Sequence, residues 1–182
     1  MNVFLTSYGI DTKHNECMYG YNDIINILKN KKVVIIPNAR LITQNRDTAY
    51  RIQKELTKNN IYSDIIDIDK KKINLSDYNA IYFTGGEPKY LMNSINKNNL
   101  FDKIKNFIDN DGTIIGQSAG AMIFSKNYLD TTTSKLKIQN NGFDYETRII
   151  VPHYDNLPQE LLKQLPKNIL KINNNDKPIK IN

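Results

Sequence analysis

The stretch Gly112-Thr-Ile-Ile-Gly-Gln-Ser-Ala-Gly-Ala-Met-Ile-Phe124 decides how the rest of this sequence is interpreted. Residues 113–115 form a short apolar run typical of a buried strand, and residues 119–124 are typical of the start of a helix. Between them lies Gly-Gln-Ser-Ala-Gly, which matches the pattern Gly-x-Ser-x-Gly found where a strand turns sharply into a helix. The glycines leave room for a strained turn, and the Ser118 hydroxyl is then exposed at the positive end of the helix. The stretch therefore predicts a nucleophilic serine, although a plain tight turn would use the same residues.

The composition points away from membranes and nucleic acids. The 182 residues are expected to form one domain, residues 1–182, and no apolar run approaches the roughly 20 residues that span a bilayer. The net charge is +6, but 21 of the 25 basic residues are Lys, and the longest basic run, at 70–72, is typical of a solvated turn. The N-terminus has no leader pattern and Cys17 is the single cysteine, so the sequence predicts a cytoplasmic protein without an internal disulfide.

Apolar runs and amphipathic segments alternate along the chain. The runs that predict strands are 3–6, 33–36, 65–68, 80–84, 113–115, 148–151 and up to two short strands within 169–182. The segments that predict helices are 22–28, 48–58, 88–95, 100–108, a helix from Ala119 towards Lys126, and 158–165. The run at 33–36 is apolar without alternation, which is typical of a parallel strand covered on both faces. We therefore expect an α/β fold with a wound, mainly parallel sheet and helices on both faces.

Three segments that follow predicted strands contain residues suited to acyl transfer. In a wound parallel sheet the active site lies beyond the carboxyl ends of the strands, where Gly86, Ser118 and His153 are expected. Ser118 would attack a carbonyl carbon, and His153 would take its proton and pass it to the leaving amine. The backbone N–H groups of Gly86 and Ala119 would bind the oxyanion. His14 lies in an irregular early segment and is expected at the surface, whereas a partly buried, hydrogen-bonded histidine is the alternative for position 153.

With these residues in view, the chain resembles the aspartyl dipeptidase (peptidase E) and cyanophycinase family of serine peptidases. The resemblance is carried, in order, by Ile81-Tyr-Phe-Thr-Gly-Gly86, Gly116-Gln-Ser-Ala-Gly-Ala121 and Val151-Pro-His-Tyr154. It implies a sheet similar to that of class I glutamine amidotransferases, and it implies the same nucleophile, base and oxyanion donors.

The resemblance also implies a substrate class. It favours small peptides with an acidic N-terminal residue, for which Arg40, Lys89 or Arg148 would supply the counter-charge. The sequence departs from the family pattern after the paired glycines, where Glu87-Pro88 occupies the place of the common Asn-Thr.

A third residue should orient His153, and the sequence offers several candidates. A carboxylate beside the imidazole would fix its tautomer and stabilise the imidazolium. Asp130 is disfavoured because the helix after the nucleophile would carry the chain away from the active edge at about 1.5 Å per residue. Asp176 follows the predicted strand at 169–172 and would emerge beside His153 if that strand runs parallel. We therefore predict Asp176, with its neighbour Asn175 as the alternative.

Two functions from different classes remain. The first is a serine peptidase that hydrolyses small peptides without a cofactor or metal, since no nucleotide-binding glycine pattern occurs and one Cys with two distant His makes a poor metal site. The second is a catalytically silent relative that binds a small ligand or partner at the same edge. The expected partner is a small peptide, a homodimer is left open, and neither nucleic acid nor membrane is expected.

Overall fold

The computed structural model describes residues 1–13, 18–40, 47–130 and 136–181. The predictions for His14 and Cys17 lie outside these ranges. The strands are β1 (Asn2–Thr6), β2 (Val33–Ile36), β3 (Ser63–Ile65), β4 (Ala80–Phe83), β5 (Thr113–Gln117), β6 (Tyr128–Asp130), β7 (Lys137–Gln139), β8 (Ile149–Pro152), β9 (Ile169–Ile172) and β10 (Ile179–Ile181). The helices are α1 (Met18–Leu28), α2 (Asp47–Lys58), α3 (Pro88–Lys97), α4 (Phe101–Asp109), α5 (Ala119–Met122) and α6 (Gln159–Leu162).

Six strands form one sheet in the order β10-β1-β5-β4-β2-β3. Five of the strands, β1, β5, β4, β2 and β3, run parallel to one another. β10 lies at the edge and runs antiparallel to β1. Because β1, β5 and β4 are neighbours, the segments that follow their carboxyl ends leave the sheet side by side. The predicted α/β fold with a wound, mainly parallel sheet is confirmed.

Helices cover both faces of this sheet, as predicted. Alternate strand residues point into two separate clusters. One cluster combines Val33, Ile35, Tyr82 and Ile115 with Ile24, Leu28, Ile52 and Leu56 of α1 and α2. The other combines Val34, Ile36, Phe83 and Ile114 with Leu91, Ile95, Ile104 and Ile108 of α3 and α4, and with α5. Since both faces are buried, the central strands need no polar alternation, which explains the continuous apolar runs.

A second, two-stranded sheet lies beside the first, and His153 directly follows one of its strands. β8 and β9 pair in parallel with Pro152 opposite Ile172, so the chains that follow both strands start at the same edge. The condition on which Asp176 was predicted, that the strand at 169–172 runs parallel, is therefore met. β6 and β7 form a separate antiparallel pair.

The predicted helix after the nucleophile is wrong in length, because α5 ends at Met122 rather than near Lys126. The carbonyl oxygen of Ile123 accepts the N–H of Phe143, and that of Phe124 accepts the N–H groups of Tyr145 and Glu146. In a longer helix these carbonyl oxygens would accept N–H groups from the next helical turn. Here they bind a segment some 20 residues later in the chain, and the helix therefore ends.

Candidate active site

The turn between β5 and α5 is packed so closely that both flanking positions require glycine. A Cβ on Gly116 would lie 2.5 Å from the carbonyl oxygen of Gly120, and one on Gly120 would lie 2.5 Å from the carbonyl oxygen of Phe83. Ser118 has φ 50° and ψ −111°, a conformation that costs a non-glycine residue about 1–3 kcal/mol. Among the described residues, the other non-glycine residues with positive φ are His153 and otherwise only Asn or Asp, which tolerate it best. Apart from Gly, Asn and Asp residues, positive φ is therefore found at the two residues expected to react, Ser118 and His153.

The Ser118 hydroxyl and the His153 ring are hydrogen-bonded. Ser118 Oγ lies 3.1 Å from Nε2 of His153, and Nδ1 on the other side of the ring lies 2.7 Å from Oδ1 of Asn174. Because an amide oxygen can only accept, Nδ1 carries the ring proton, and Nε2 of the neutral ring accepts from the Ser118 O–H. This is the tautomer that a general base needs at this place.

Asn174 occupies the position that the sequence analysis gave to Asp176. Asn174 is 5 % exposed, and its backbone N–H donates to Oδ1 of Asp155 at 3.1 Å. The Asp176 carboxylate instead accepts the N–H of Asn173 at 2.6 Å and closes the turn after β9. Asn175, the alternative, is exposed. The residue that contacts Nδ1 in the structure is therefore Asn174, two residues before Asp176, because the chain turns directly after β9 and directs the second side chain of the turn at the imidazole.

Asp130, the disfavoured candidate, is a buried carboxylate that forms an ion pair with the exposed side chain of Lys89. It lies at the end of β6 and is 1 % exposed. Its Oδ2 accepts from Nζ of Lys89 at 3.2 Å and from Nε2 of Gln139 at 3.1 Å. The pair links β6 and β7 to α3, since Lys89 is the second residue of that helix.

The predicted oxyanion residues lie on the two segments that flank the nucleophile. A Cβ on Gly85 would lie 3.3 Å from the Cβ of Ser118, so this segment passes directly beside the serine. Gly86 has φ 147°, and a Cβ there would lie 2.3 Å from the carbonyl oxygen of Ala39. Ala119 is the first residue of α5, where helix N–H groups have no intrahelical partner. The oxyanion role of Gly86 and Ala119 stays a prediction, and both residues lie on segments next to Ser118.

The end of β1 contacts both reacting residues, which no motif in the sequence indicated. The N–H of Ser118 donates to the carbonyl oxygen of Thr6 at 2.8 Å. The N–H of His153 donates to Oγ of Ser7 at 3.0 Å, and the ring of Tyr8 lies 4.6 Å from the His153 ring at an angle of 55°. The available signal was only that Ser7 directly follows a predicted strand.

The residue before the nucleophile is held by a buried tyrosine. The Tyr82 hydroxyl donates to Oε1 of Gln117 at 3.1 Å and accepts the N–H of Ile10 at 3.2 Å. Tyr82 lies in the core with no exposed surface, so this hydroxyl joins the elbow to the loop after β1.

Arg148 and Arg40, two of the candidate counter-charges for an acidic substrate, have different surroundings. Arg148 forms an ion pair with Glu146 at 2.7 Å, and its hydrogen bond holds the pKa of Glu146 below the usual value. Arg40 is exposed, and its Cγ lies 2.9 Å from the place where a Cβ of Gly86 would be. Arg40 is therefore adjacent to the oxyanion segment.

The described residues contain neither a candidate metal site nor a candidate membrane span. No three His, Cys, Asp or Glu side chains in those ranges are grouped so as to hold a metal ion. No helix within them has the length and hydropathy needed to cross a bilayer.

The fold and the sequence both have known relatives. A crystal structure of a protein described as peptidase E from Listeria monocytogenes EGD-e is 23% identical and superposes with a TM-score of 0.69, covering 95% of this chain and 90% of that one. A peptidase from an acI-B1 Actinobacterium is 20% identical with a TM-score of 0.70, covering 94% and 79%. These two likenesses establish the fold, and no curated protein sequence matches the chain significantly. The sequence profile of peptidase family S51 matches residues 3–180, nearly the whole chain. This chain belongs to peptidase family S51, as the motifs around Ser118 and His153 predicted.

Proposed function

We propose that this S51 peptidase hydrolyses small peptides with Ser118 as nucleophile, His153 as base and Asn174 as the residue that orients the base. The observation that carries the proposal is the hydrogen-bonded line from Ser118 Oγ to Nε2 at 3.1 Å and from Nδ1 to Asn174 Oδ1 at 2.7 Å. A second support is the strained elbow, which holds the serine at a buried helix N-terminus.

The geometry supports a two-step acyl transfer. Ser118 Oγ attacks the scissile carbonyl carbon as its proton passes to Nε2 of His153. The tetrahedral intermediate collapses when His153 gives that proton to the leaving amine, which leaves an acyl-serine. Water then attacks the acyl carbon and loses a proton to Nε2. The second tetrahedral intermediate collapses as Nε2 returns that proton to Ser118 Oγ, which breaks the acyl–serine bond and releases the carboxylic acid product.

The oxyanion of both intermediates would be bound by backbone N–H groups. We assign this role to Gly86 and Ala119, on either side of the nucleophile. A donor of this kind contributes about 2.7–4 kcal/mol to transition-state stabilisation when it is fixed before reaction. Gly86 lies against the carbonyl oxygen of Ala39, which accepts the N–H of the next residue, Glu87, at 2.7 Å, so a hydrogen bond holds this segment.

Asn174 supports the base without carrying a charge. Its amide oxygen selects the tautomer with the proton on Nδ1, which is the geometric part of the role of an aspartate. The positive charge that develops on the ring is then stabilised by an amide dipole rather than by a carboxylate.

For the substrate, we propose peptides with an acidic N-terminal residue, the class that the family resemblance favours. Arg40 is our candidate for the counter-charge because its side chain runs along the oxyanion segment at Gly86. Arg148 instead contacts Glu146, and Lys89 contacts Asp130.

Labelling with a fluorophosphonate tests the nucleophile. Wild-type protein should be labelled at Ser118, and Ser118→Ala should lose both labelling and hydrolysis, the latter by about four to six orders of magnitude. Ser76→Ala, which changes an exposed serine, is the matched control and should label like the wild type. Absence of labelling in the folded wild type would favour the silent relative instead.

A dipeptide panel tests the substrate class. Arg40→Gln should raise KM about tenfold for peptides with an N-terminal Asp and leave peptides with an N-terminal Ala unchanged, since a charge-assisted hydrogen bond is lost. Arg148→Gln serves as the control with the same chemical change. An equal loss for both peptides, or an equal loss in both variants, would reject Arg40 as the counter-charge.

A further inference from the structure

The nucleophile and the base of the proposed site lie on different sheets. Ser118 follows β5 of the six-stranded sheet, whereas His153 follows β8 of the two-stranded sheet. Their 3.1 Å contact therefore depends on how the ends of two separate sheets are held together. A displacement of about 1 Å at such a contact is enough to cost up to a hundredfold in rate.

Two consecutive residues at the end of β1 bond to both reacting residues. Thr6 is paired with Gln117 in the parallel ladder, and its carbonyl oxygen accepts the N–H of Ser118 at 2.8 Å. The next residue, Ser7, accepts the N–H of His153 at 3.0 Å through its side chain. The backbones of Ser118 and His153 are thus connected through two consecutive residues, Thr6 at the end of β1 and Ser7 directly after it.

The Ser7 hydroxyl also closes the end of the second sheet. While it accepts from His153, it donates to the carbonyl oxygen of Ile172 at 3.0 Å. Pro152 and Ile172 are the last paired residues of β8 and β9, so the hydroxyl connects the two strand ends just beyond their ladder. Asn174 lies two residues after Ile172, which makes its position depend on the same hydroxyl.

Burial favours a fixed geometry for this connection. Ser7 is 2 % exposed and Ile172 has no exposed surface, so water has little access to compete for these hydrogen bonds. Both hydrogen-bonding functions of the hydroxyl are used, one as donor and one as acceptor, which leaves it one favoured orientation.

From these contacts we propose that Ser7 is a positioning residue that sets the distance between Ser118 and His153 and the orientation of the His153–Asn174 pair. It touches no substrate and acts only through the backbones of His153 and Ile172. The inference rests on the proposed function, because it assigns Ser7 a role in the reaction of Ser118 and His153.

The chain offers a matched control in Ser125. Its side chain also has no exposed surface and also accepts a backbone N–H of β8, that of Ile150 at 3.0 Å. Ser125→Ala therefore removes a similar buried hydrogen bond from the same strand, three residues before His153. Any effect that arises only from lost stability should appear in both variants.

The test compares Ser7→Ala and Ser125→Ala by steady-state hydrolysis and by the rate of fluorophosphonate labelling, well below their melting temperatures. We expect Ser7→Ala to lower kcat and the labelling rate about 10- to 100-fold with less than a twofold change in KM, and Ser125→Ala to stay within about twofold of wild type. Ser7→Cys and Ser125→Cys, which keep the volume and a weak hydrogen bond, provide the same comparison if either alanine variant does not fold. Equal losses at positions 7 and 125, or an unchanged labelling rate in the position-7 variants, would overturn the proposal.

A readout without turnover separates this proposal from the proposed function. Long-range ¹H–¹⁵N spectra report which ring nitrogen of His153 carries the proton. We expect the Nδ1–H tautomer in the wild type and a mixture in Ser7→Ala, and an unchanged spectrum would overturn the positioning role. If the wild type neither hydrolyses peptides nor labels, the proposed function fails, while the spectra still decide whether Ser7 fixes the ring.

Discussion

Removing the Asn174 side chain should slow the enzyme while leaving its fold intact. In Asn174→Ala the ring loses the acceptor that lies 2.7 Å from Nδ1. The backbone N–H of residue 174 keeps its bond to Asp155, so the turn after β9 retains its anchor. The change is thus confined to the tautomer and orientation of His153.

The loss of kcat in Asn174→Ala has a lower and an upper limit. A neutral hydrogen bond contributes about 1 kcal/mol net, and its loss as an orienting contact corresponds to a drop of about fivefold. General base catalysis as a whole contributes about 10²- to 10⁴-fold, which limits the loss if the ring adopts the wrong tautomer throughout. We expect kcat to fall about 10- to 100-fold with little change in KM.

The assay is the dependence of kcat and kcat/KM on pH for Asn174→Ala and for Asn175→Ala, the same change at the exposed neighbouring position. Asn175→Ala should match the wild type. Asn174→Asp should shift the acid limb of the profile to higher pH, since a carboxylate favours the protonated ring. The reasoning is refuted if Asn174→Ala stays within twofold of wild type, or if both alanine variants lose activity equally.

Three further predictions concern mechanism and stability. Peptide hydrolysis should persist in the presence of a chelator and should fall below about pH 6 to 7, where an imidazole such as that of His153 ordinarily protonates; restoration of a chelated enzyme by a divalent ion would contradict this. Gly120→Ala should lower the free energy of unfolding by about 1–3 kcal/mol because the new Cβ would lie 2.5 Å from a carbonyl oxygen of β4, and urea denaturation would measure it. The hydrogen bond from Arg148 lowers the pKa of Glu146, so its contribution to stability is present above the usual Glu pKa and is lost as pH falls. Denaturation between about pH 5 and pH 3 should therefore show a shallower loss of stability for Glu146→Gln than for the wild type, and parallel curves would reject the assignment.

The elements that could be predicted from the sequence are those specified by local pattern. Strands buried on both faces have continuous apolar runs, and the elbow needs small residues at fixed spacing, so both are visible in the sequence. β3 illustrates the limit. It was expected at 65–68 and lies at Ser63–Ile65. Ile66 still donates its N–H to the carbonyl oxygen of Ile35 in β2 at 3.0 Å, whereas Ile68 is buried in the core beyond the paired residues. An apolar run predicts burial, and only the partner strand decides which residues pair.

The residues of the candidate site likewise differ in how well the sequence predicts them. The positions of Ser118 and His153 followed from motifs at strand ends, whereas the residue that orients the ring did not. Residues 173–176 read Asn-Asn-Asn-Asp, and any of them can bond to an imidazole. The choice depends on where β9 ends and how the chain then turns, which is fixed by bonds to Asp155 and to the backbone of Asn173. Chemical preference for a carboxylate favoured Asp176, and the geometry of the turn overrode it.

A neutral orienting residue separates two tasks that an aspartate performs together. An aspartate fixes the tautomer of the ring and also stabilises its positive charge. In the proposed mechanism, Asn174 performs the first task through one 2.7 Å hydrogen bond. A carboxylate does lie nearby, since Asp155 binds the backbone N–H of Asn174, but Asp155 is exposed and its charge is screened by water. Orientation in this enzyme must therefore come from packing and hydrogen bonds more than from charge. That requirement is consistent with the number of contacts that hold the base in place: the Ser7 hydroxyl on its backbone, the Tyr8 ring beside its imidazole, and the buried amide at Nδ1.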